Sequence, residues 1–321
     1  MTYPVVVDAA GAVTGGAARF KVELDRYLAR AGRTDVRVLG TGRRFTPAWL
    51  VRRELAGRAH GRHVALNNVG FVTAGDDRWT LLGNALNFLT DREEASLEPS
   101  LRAYLRQRTP LVRLACHRSH VLVAPSTAMA ERIVRVMPSL HARVAVRPHP
   151  VSPDSIPGLP REPNILCPVV FASYKQMDRH LIELLNALDE SGDPETRLRV
   201  TANRSEVPTH VADHPRVDLV GRLDHHELRQ LWGRNRVIYF PPGLESFGYP
   251  LAEARASGHP VIARDTAQNR EIAGPALCGY AVGDAASLGQ AAKLALTTDM
   301  TPDPGPFDPV AYFDWLLGSP S

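Results

Sequence analysis

The sequence predicts an α/β protein with two Rossmann-like, doubly wound domains that face a central cleft. Short apolar runs alternate with amphipathic helical stretches along the chain, as in parallel sheets covered by helices. A proline-rich stretch at 152–164 interrupts this alternation, which then restarts. With 321 residues, of which 44% are apolar, the chain is long enough for two cores. We therefore expect domains at 1–152 and 153–304, followed by a tail at 305–321. The tail ends in a short apolar helix with Tyr312, Phe313 and Trp315, which either crosses back to the N-terminal domain or packs locally on the C-terminal domain.

The elements of the first half can be assigned in order. The apolar run "YPVVVDAAG" predicts a strand that ends in a glycine turn, and helical periodicity follows from Ala17 to a C-cap at Gly32. Further strands are predicted in "DVRVLG", "HVALNN", "WTLLGN" and "HVLVAPS", with helices at 47–59, 93–115 and 126–136.

The second half repeats the pattern. Strands are predicted in "NILCPVVF", "TRLRVTAN", "VDLVGRL", "RVIYFPP" and "HPVIARD", and helices in "QMDRHLIELLNALDESG", "DHHELRQLWGRN", "PLAEARASG" and "DAASLGQAAKLALTT". Ligands of doubly wound sheets bind beyond the carboxyl ends of the strands, so the loops after the strands are where a functional site is expected.

The distribution of charged residues and cysteines bears on the binding partners and the cellular compartment of the protein. Residues 1–152 hold 23 Lys and Arg against 12 Asp and Glu, whereas residues 153–321 hold 15 against 22. Five of these arginines lie in the predicted helical stretch at 101–118, which fits either an ordinary amphipathic helix or contact with an anionic membrane surface. Three widely separated cysteines predict neither disulfides nor a zinc site. We expect a cytoplasmic protein, with peripheral contact to the inner face of the membrane as an alternative.

The stretch 241–262, "PPGLESFGYPLAEARASGHPVI", carries the strongest chemical signal. Its loop follows a predicted strand and leads into a helix near Pro250, whose N-terminus favours anionic ligands. Gly248 allows the backbone to approach a ligand closely. Glu245 on the loop and Glu253 in the helix then provide two acceptors for separate hydroxyl groups of a ligand. Alternatively, Glu253 only complements the helix dipole and Glu245 is a solvated loop residue.

This stretch resembles the donor-site signature of the retaining glycosyltransferases of family 4, which have the GT-B fold. The match covers Glu245, Phe247, Gly248, Pro250, Glu253, Gly258, Pro260, Val261 and Ile262, with Ser246 where glycine is usual. Weaker similarity extends to "YKQMDRHLIELLNAL", to "GGAARFKVEL" and to "LLGNALNF". The resemblance implies transfer of a sugar from a nucleotide-diphosphate sugar to a hydroxyl acceptor, which could be a glycan, a lipid-linked molecule or a small natural product.

The resemblance also implies roles for individual residues. In the family, the first glutamate of the signature binds hydroxyl groups of the donor sugar, a role that falls to Glu245 here. The second glutamate binds the ribose of the nucleotide, a role that falls to Glu253. Lys175 corresponds to the cation that stabilises the leaving diphosphate, and Val170 stands where the family has an arginine. Arg179 or Arg204 could replace that arginine. The backbone around Ser246, Phe247, Gly248 and Tyr249, and the glycine turn at Gly15 and Gly16, are expected to bind the donor.

Two further expectations concern catalysis. The family often has a histidine near the transferred sugar, where this chain has Asn84 or Asn87, and a turn-capping asparagine is an equal alternative. No protein base is needed if the leaving phosphate accepts the acceptor's proton, and no metal or other cofactor is expected. In "DHHE" at 224–227, Asp224 predicts a helix N-cap rather than a metal ligand.

Two other function classes remain open at this stage. One is a catalytically silent GT-B relative that acts as a partner or scaffold, and the other is a basic protein that binds nucleic acid or membrane. Nucleic-acid binding is disfavoured because aromatic residues do not alternate with the arginines.

Overall fold

The computed structural model describes residues 5–56, 60–152, 156, 158–168, 171, 173–192 and 195–319. The chain forms two compact units. The first comprises residues 1–150 together with 307–321, and the second comprises residues 151–306. Each unit has its own parallel sheet with helices, so the predicted α/β class with two doubly wound domains is confirmed.

The described part of the first unit contains a six-stranded parallel sheet in the order β2-β1-β3-β4-β5-β6. In chain order its elements are β1 Val5–Asp8, α1 Gly15–Ala31, β2 Val36–Leu39, α2 Pro47–Ala56, β3 Arg62–Ala65, β4 Asp77–Leu81, α3 Asp91–Ala95, α4 Pro99–Arg118, β5 Val121–Ala124, α5 Thr127–Val136 and β6 Val144–Val146.

One predicted helix of this unit is divided in the structure. The stretch expected as a single helix at 93–115 forms the short helix α3 and the long helix α4. Thr90 and Glu93 form a capping box that starts α3, and Pro99 starts α4, a position where its missing N–H costs no helical hydrogen bond. The C-cap predicted for α1 is correct: Gly32 has φ +59° and its N–H donates to the carbonyl of Leu28.

The described part of the second unit also contains a six-stranded parallel sheet, in the order β12-β11-β10-β7-β8-β9. Its elements are β7 Glu162–Cys167, α6 Met177–Glu190, β8 Leu198–Val200, α7 Thr209–Ala212, β9 Val217–Leu219, α8 His225–Arg234, β10 Asn235–Phe240, α9 Tyr249–Ser257, β11 Val261–Arg264, α10 Ala267–Ala273, β12 Leu277–Tyr280 and α11 Ala285–Thr297. Sequence reasoning did not predict β12 or α10, which are short and carry little periodicity.

The order of the strands creates a switch point in the second sheet. Neighbouring strands β7 and β10 lie at its centre, but α6 leads from β7 to β8 on one side and α9 leads from β10 to β11 on the other. The loops after β7 and β10 therefore diverge at their carboxyl ends, which opens a crevice at that edge of the sheet. The chain segments that carry Lys175 and Glu245 are these two loops.

The last helix, α12 Pro309–Leu317, belongs to the first unit and packs on α1. Phe20 of α1 makes edge-to-face contacts with Tyr312 and Phe313, with ring centroids 5.6 and 5.5 Å apart. Arg33 donates a hydrogen bond of 2.7 Å to the carbonyl of Gly318. The tail thus completes the core of the first unit rather than that of the second.

Two expectations about the chain as a whole concern membranes and cysteines. Among the described residues, no helix combines the length and the apolar character that a membrane span requires. Cys116, Cys167 and Cys278 are all buried free thiols.

Candidate active site

An ion pair joins the two loops at the switch point of the second sheet. Lys175 Nζ lies 2.7 Å from Glu245 Oε1, and the two side chains are only 15% and 22% exposed. Lys175 ends a 3-10 turn after β7, and Glu245 lies on the loop after β10. The structure therefore brings together two residues, 70 positions apart in the chain, that the sequence analysis assigned to the donor site.

The turn that carries Lys175 has an unusual backbone. Gln176, the next residue, is the N-cap of α6 and has φ +48°, a left-handed conformation that is uncommon for residues other than glycine. Such conformations cost energy and cluster at functional sites. Burial raises the pKa of the neighbouring Tyr174 hydroxyl; Lys175 acts to lower this pKa and Glu245 acts to raise it.

The loop after β10 enters α9 through a second left-handed residue. Gly248 is the N-cap of α9 with φ +81°, and a Cβ at this position would lie 3.0 Å from Leu251 Cδ1 and 3.1 Å from Phe240 Cε1. The left-handed conformation therefore favours glycine, and any other residue would also require the side chains of Leu251 and Phe240 to shift. This turn places the N-terminus of α9, the positive end of its dipole, directly after the loop that carries Glu245.

The other residues of the predicted donor site are largely buried. Ser246, Phe247, Tyr249 and Glu253 have 9% or less of their surface exposed. The rings of Phe247 and Tyr249 pack edge to face with centroids 5.1 Å apart, which fixes the loop next to the helix start. Glu253 lies one turn into α9. The contiguous segment from Glu245 to Glu253 thus forms a well-packed corner between the carboxyl end of β10 and the first turns of α9.

The two arginines proposed as substitutes for the family's arginine are exposed and already paired. Arg179 is 61% exposed and forms an ion pair of 2.8 Å with Glu183. Arg204 is 62% exposed and pairs with Asp213. Val170, the position that lacks the arginine, lies outside the described residues.

A third arginine at this edge was missed by sequence reasoning. Arg264 is the last residue of β11, next to the point where the Glu245 loop leaves β10. Its guanidinium packs against Gly243, where a Cβ would clash with Nη1, and its Nη2 lies 2.7 Å from Nε2 of His180 on α6. An arginine at the end of a strand has no distinctive spacing, so only the fold reveals its neighbours.

Three predicted site residues lie in the first unit. Gly15 and Gly16 are exposed at the N-terminus of α1, and Gly15 has φ +60°. Asn84 caps a 3-10 turn, because its Oδ1 accepts a hydrogen bond of 3.1 Å from the N–H of Leu86. Asn84 therefore has the turn-capping contact that was the alternative interpretation, while its side chain remains exposed. Asn87 is buried within the same turn.

The histidine pair at 225–226 lies in the first turn of α8. Asp224 caps α8 in a reciprocal capping box with Glu227, as the sequence predicted. Throughout the described ranges, no cluster of three or more His, Cys, Asp or Glu side chains has the arrangement of a metal site.

With this geometry established, comparison with known proteins identifies the fold and the type of the second unit. The two parallel sheets are those of the GT-B fold. Residues 160–299 match the family model described as glycosyl transferases group 1, so the second unit carries a domain of this type. No curated protein matches the chain in sequence.

Solved structures agree over the full length of the chain. WaaG, a glycosyltransferase involved in lipopolysaccharide biosynthesis, is 15% identical with a TM-score of 0.67, covering 98% of this chain and all of its own. HepE from Anabaena, solved in complex with UDP, is 12% identical with a TM-score of 0.62, covering 98% and 95%. The sucrose-phosphate synthase from Thermosynechococcus elongatus is 15% identical with a TM-score of 0.59, covering 98% and 94%. At these identities the likeness establishes the fold.

Proposed function

We propose that this protein is a retaining, metal-independent glycosyltransferase that moves a sugar from a nucleotide-diphosphate sugar to a hydroxyl acceptor. The observation that carries the proposal is the Lys175–Glu245 ion pair at the switch point of the second sheet, beside the N-terminus of α9. Doubly wound sheets bind nucleotides at this place, and the domain type supports the same assignment.

The pair provides two complementary binding groups for such a donor. Lys175 has three N–H donors, so it can contact a phosphate oxygen while it still donates to Glu245. Glu245 is an acceptor for hydroxyl groups of the sugar. Because both side chains are mostly buried, their charges are less screened than at an open surface. The N-terminus of α9 adds the positive end of its helix dipole, which favours a negatively charged diphosphate.

These groups act on the bond that breaks. The bond between the anomeric carbon and the diphosphate oxygen is cleaved, and the electron pair stays on the diphosphate. Lys175 and the positive end of the α9 dipole stabilise the negative charge that develops there. The acceptor hydroxyl forms the new bond to the anomeric carbon on the same face and gives its proton to the leaving diphosphate. No protein base is needed, which agrees with the absence of a histidine at Asn84.

The donor and the acceptor are to be found by experiment. HepE was solved with UDP, so UDP is the first nucleotide to test, followed by GDP, ADP and dTDP. Thermal shift with each nucleotide should show stabilisation by at least one of them, because a ligand that binds only the folded state raises the melting temperature. The corresponding nucleotide sugars are then assayed for release of nucleoside diphosphate. Lack of stabilisation by all four, with no release, would reject the proposal.

A catalytically silent GT-B relative is the alternative, since Val170 and Asn84 replace two groups that the family uses. Such a protein would bind a nucleotide without turning over any nucleotide sugar. Binding and turnover therefore have to be measured separately.

A further inference from the structure

We infer that Arg264 supplies the second positive charge of the donor site and contacts the diphosphate of the nucleotide sugar. This assignment rests on the proposed function and deepens it, because it names the residue that replaces the family's missing arginine. Sequence reasoning offered Arg179 and Arg204 for this role, and the structure favours a residue from a different strand.

The position of Arg264 fits this role. Its guanidinium touches both segments that bear the Lys175–Glu245 pair. On one side it packs against Gly243, two residues before Glu245 on the loop after β10. On the other side it bonds to His180, which lies in the first turn of α6, five residues after Lys175. The guanidinium is therefore held at the carboxyl edge of the sheet between the two loops.

The balance of charges points to an anion at this place. Four other arginines on segments that follow strands of this sheet have carboxylate partners: Arg179 with Glu183, Arg204 with Asp213, Arg222 with Glu206 and Arg270 with Asp265. Lys175 is paired with Glu245. Within the residues that the structure describes, Arg264 has no carboxylate within ion-pair distance, and its Nε is buried without a hydrogen-bond partner.

His180, the hydrogen-bond partner of Arg264, does not neutralise the positive charge of the guanidinium. His180 is buried and its Nε2 accepts from the guanidinium, so its Nδ1 carries the proton that faces Glu183 Oε2 at 3.2 Å. Burial lowers the pKa of His180, and the nearby charge of Arg264 lowers it further, whereas Glu183 acts to raise it. The net effect is a lowered pKa, which favours the neutral imidazole at neutral pH. A neutral imidazole orients the guanidinium without neutralising it. A diphosphate is the anion that the crevice would receive, and arginine binds phosphate oxygens through paired N–H groups.

The test compares binding of the nucleoside diphosphate with binding of its nucleoside. Calorimetry is done on the wild type and on Arg264→Gln with UDP, GDP, ADP and dTDP, with uridine, guanosine, adenosine and thymidine, and with inorganic pyrophosphate. Arg264→Lys keeps the charge but not the paired donors. Arg236→Gln is the matched control, because Arg236 lies on the neighbouring strand β10 near its opposite end and pairs with Asp299.

We expect Arg264→Gln to weaken diphosphate binding about tenfold to a hundredfold, the usual loss for a hydrogen bond to a charged group. Nucleoside binding should stay unchanged, Arg264→Lys should be intermediate, and Arg236→Gln should behave like the wild type. Unchanged diphosphate binding in Arg264→Gln, or equal losses for diphosphate and nucleoside, would overturn the assignment. A wild type that binds pyrophosphate but none of the nucleotides would contradict the proposed function. Loss of that pyrophosphate binding in Arg264→Gln would still support the role of Arg264. Failure to bind either kind of ligand would refute both.

Discussion

At the scale of single residues, the account depends on two side chains that are 70 positions apart in the chain and form one ion pair. The sequence pointed to Glu245 through its loop and helix and to Lys175 through its place before α6. It did not predict their contact, because pairing across the sheet depends on β7 and β10 being neighbours. It also missed Arg264, whose importance comes only from the two loops that it touches.

Lys175→Ala is expected to weaken binding of the nucleoside diphosphate about tenfold or more while binding of the nucleoside is unchanged. The reason is that an ammonium group that faces phosphates makes no contact with the base. Isothermal titration with both ligands measures the difference, and Lys293→Ala serves as control because Lys293 is exposed on α11. Equal losses for diphosphate and nucleoside would remove Lys175 from the phosphate site.

At the scale of elements, the donor corner is formed by β10, its loop and α9. The apolar periodicity, together with Pro250 and Gly248, predicted this strand, loop and helix correctly, because their signals lie in the local sequence. The division of the stretch at 93–115 into α3 and α4 was not predicted, although the capping box at Thr90 and the proline at 99 are visible in the sequence.

Gly248→Ala should both destabilise the protein and reduce donor affinity. The left-handed backbone costs a residue with a Cβ about 1–2 kcal/mol, and Leu251 and Phe240 would have to move. Gly289→Ala is the control, since Gly289 lies inside α11 with no atom near its would-be Cβ, and it should stabilise by about 0.5–1 kcal/mol. Denaturant unfolding measures both effects. A Gly248→Ala protein as stable as the wild type would show that the turn is not constrained.

Helix α4 permits a prediction about membranes. It buries Leu105, Val112, Ala115 and Cys116, so it packs as an ordinary amphipathic helix, yet Tyr104, Leu111 and Leu114 are 39% or more exposed among its arginines. We propose that this face binds anionic lipid. The protein should sediment with vesicles that contain phosphatidylglycerol but not with phosphatidylcholine vesicles, and 0.5 M salt should release it. Arg106→Glu with Arg108→Glu should abolish sedimentation, and equal sedimentation of this variant would refute the proposal.

At the scale of the whole molecule, the chain forms two sheets and then returns to the first unit with α12. The repeated alternation of strands and helices predicted both sheets, while the aromatic tail left two possibilities for its packing. The structure places Phe313 and Tyr312 in the core with Phe20 and Tyr27, because α1 offers an aromatic surface that these rings fit.

Phe313→Ala should destabilise the first unit by about 3–5 kcal/mol, since it removes a fully buried ring. Val310→Ala on the same helix should change stability little, because Val310 is 58% exposed. Urea unfolding followed by tryptophan fluorescence compares the two variants. Similar midpoints for Phe313→Ala and the wild type would show that α12 does not contribute to the core.

The central claim is that Glu245, paired with Lys175, binds the sugar of a nucleotide-diphosphate donor that the protein turns over. The most direct measurement is the rate at which the wild type and Glu245→Gln release nucleoside diphosphate from the nucleotide sugar identified by the donor screen. Glu190→Gln on the exposed end of α6 is the control. We predict that Glu245→Gln is about 100-fold slower, with an unchanged melting temperature, while the control keeps the wild-type rate. A Glu245→Gln protein that releases nucleoside diphosphate at the wild-type rate would contradict the account.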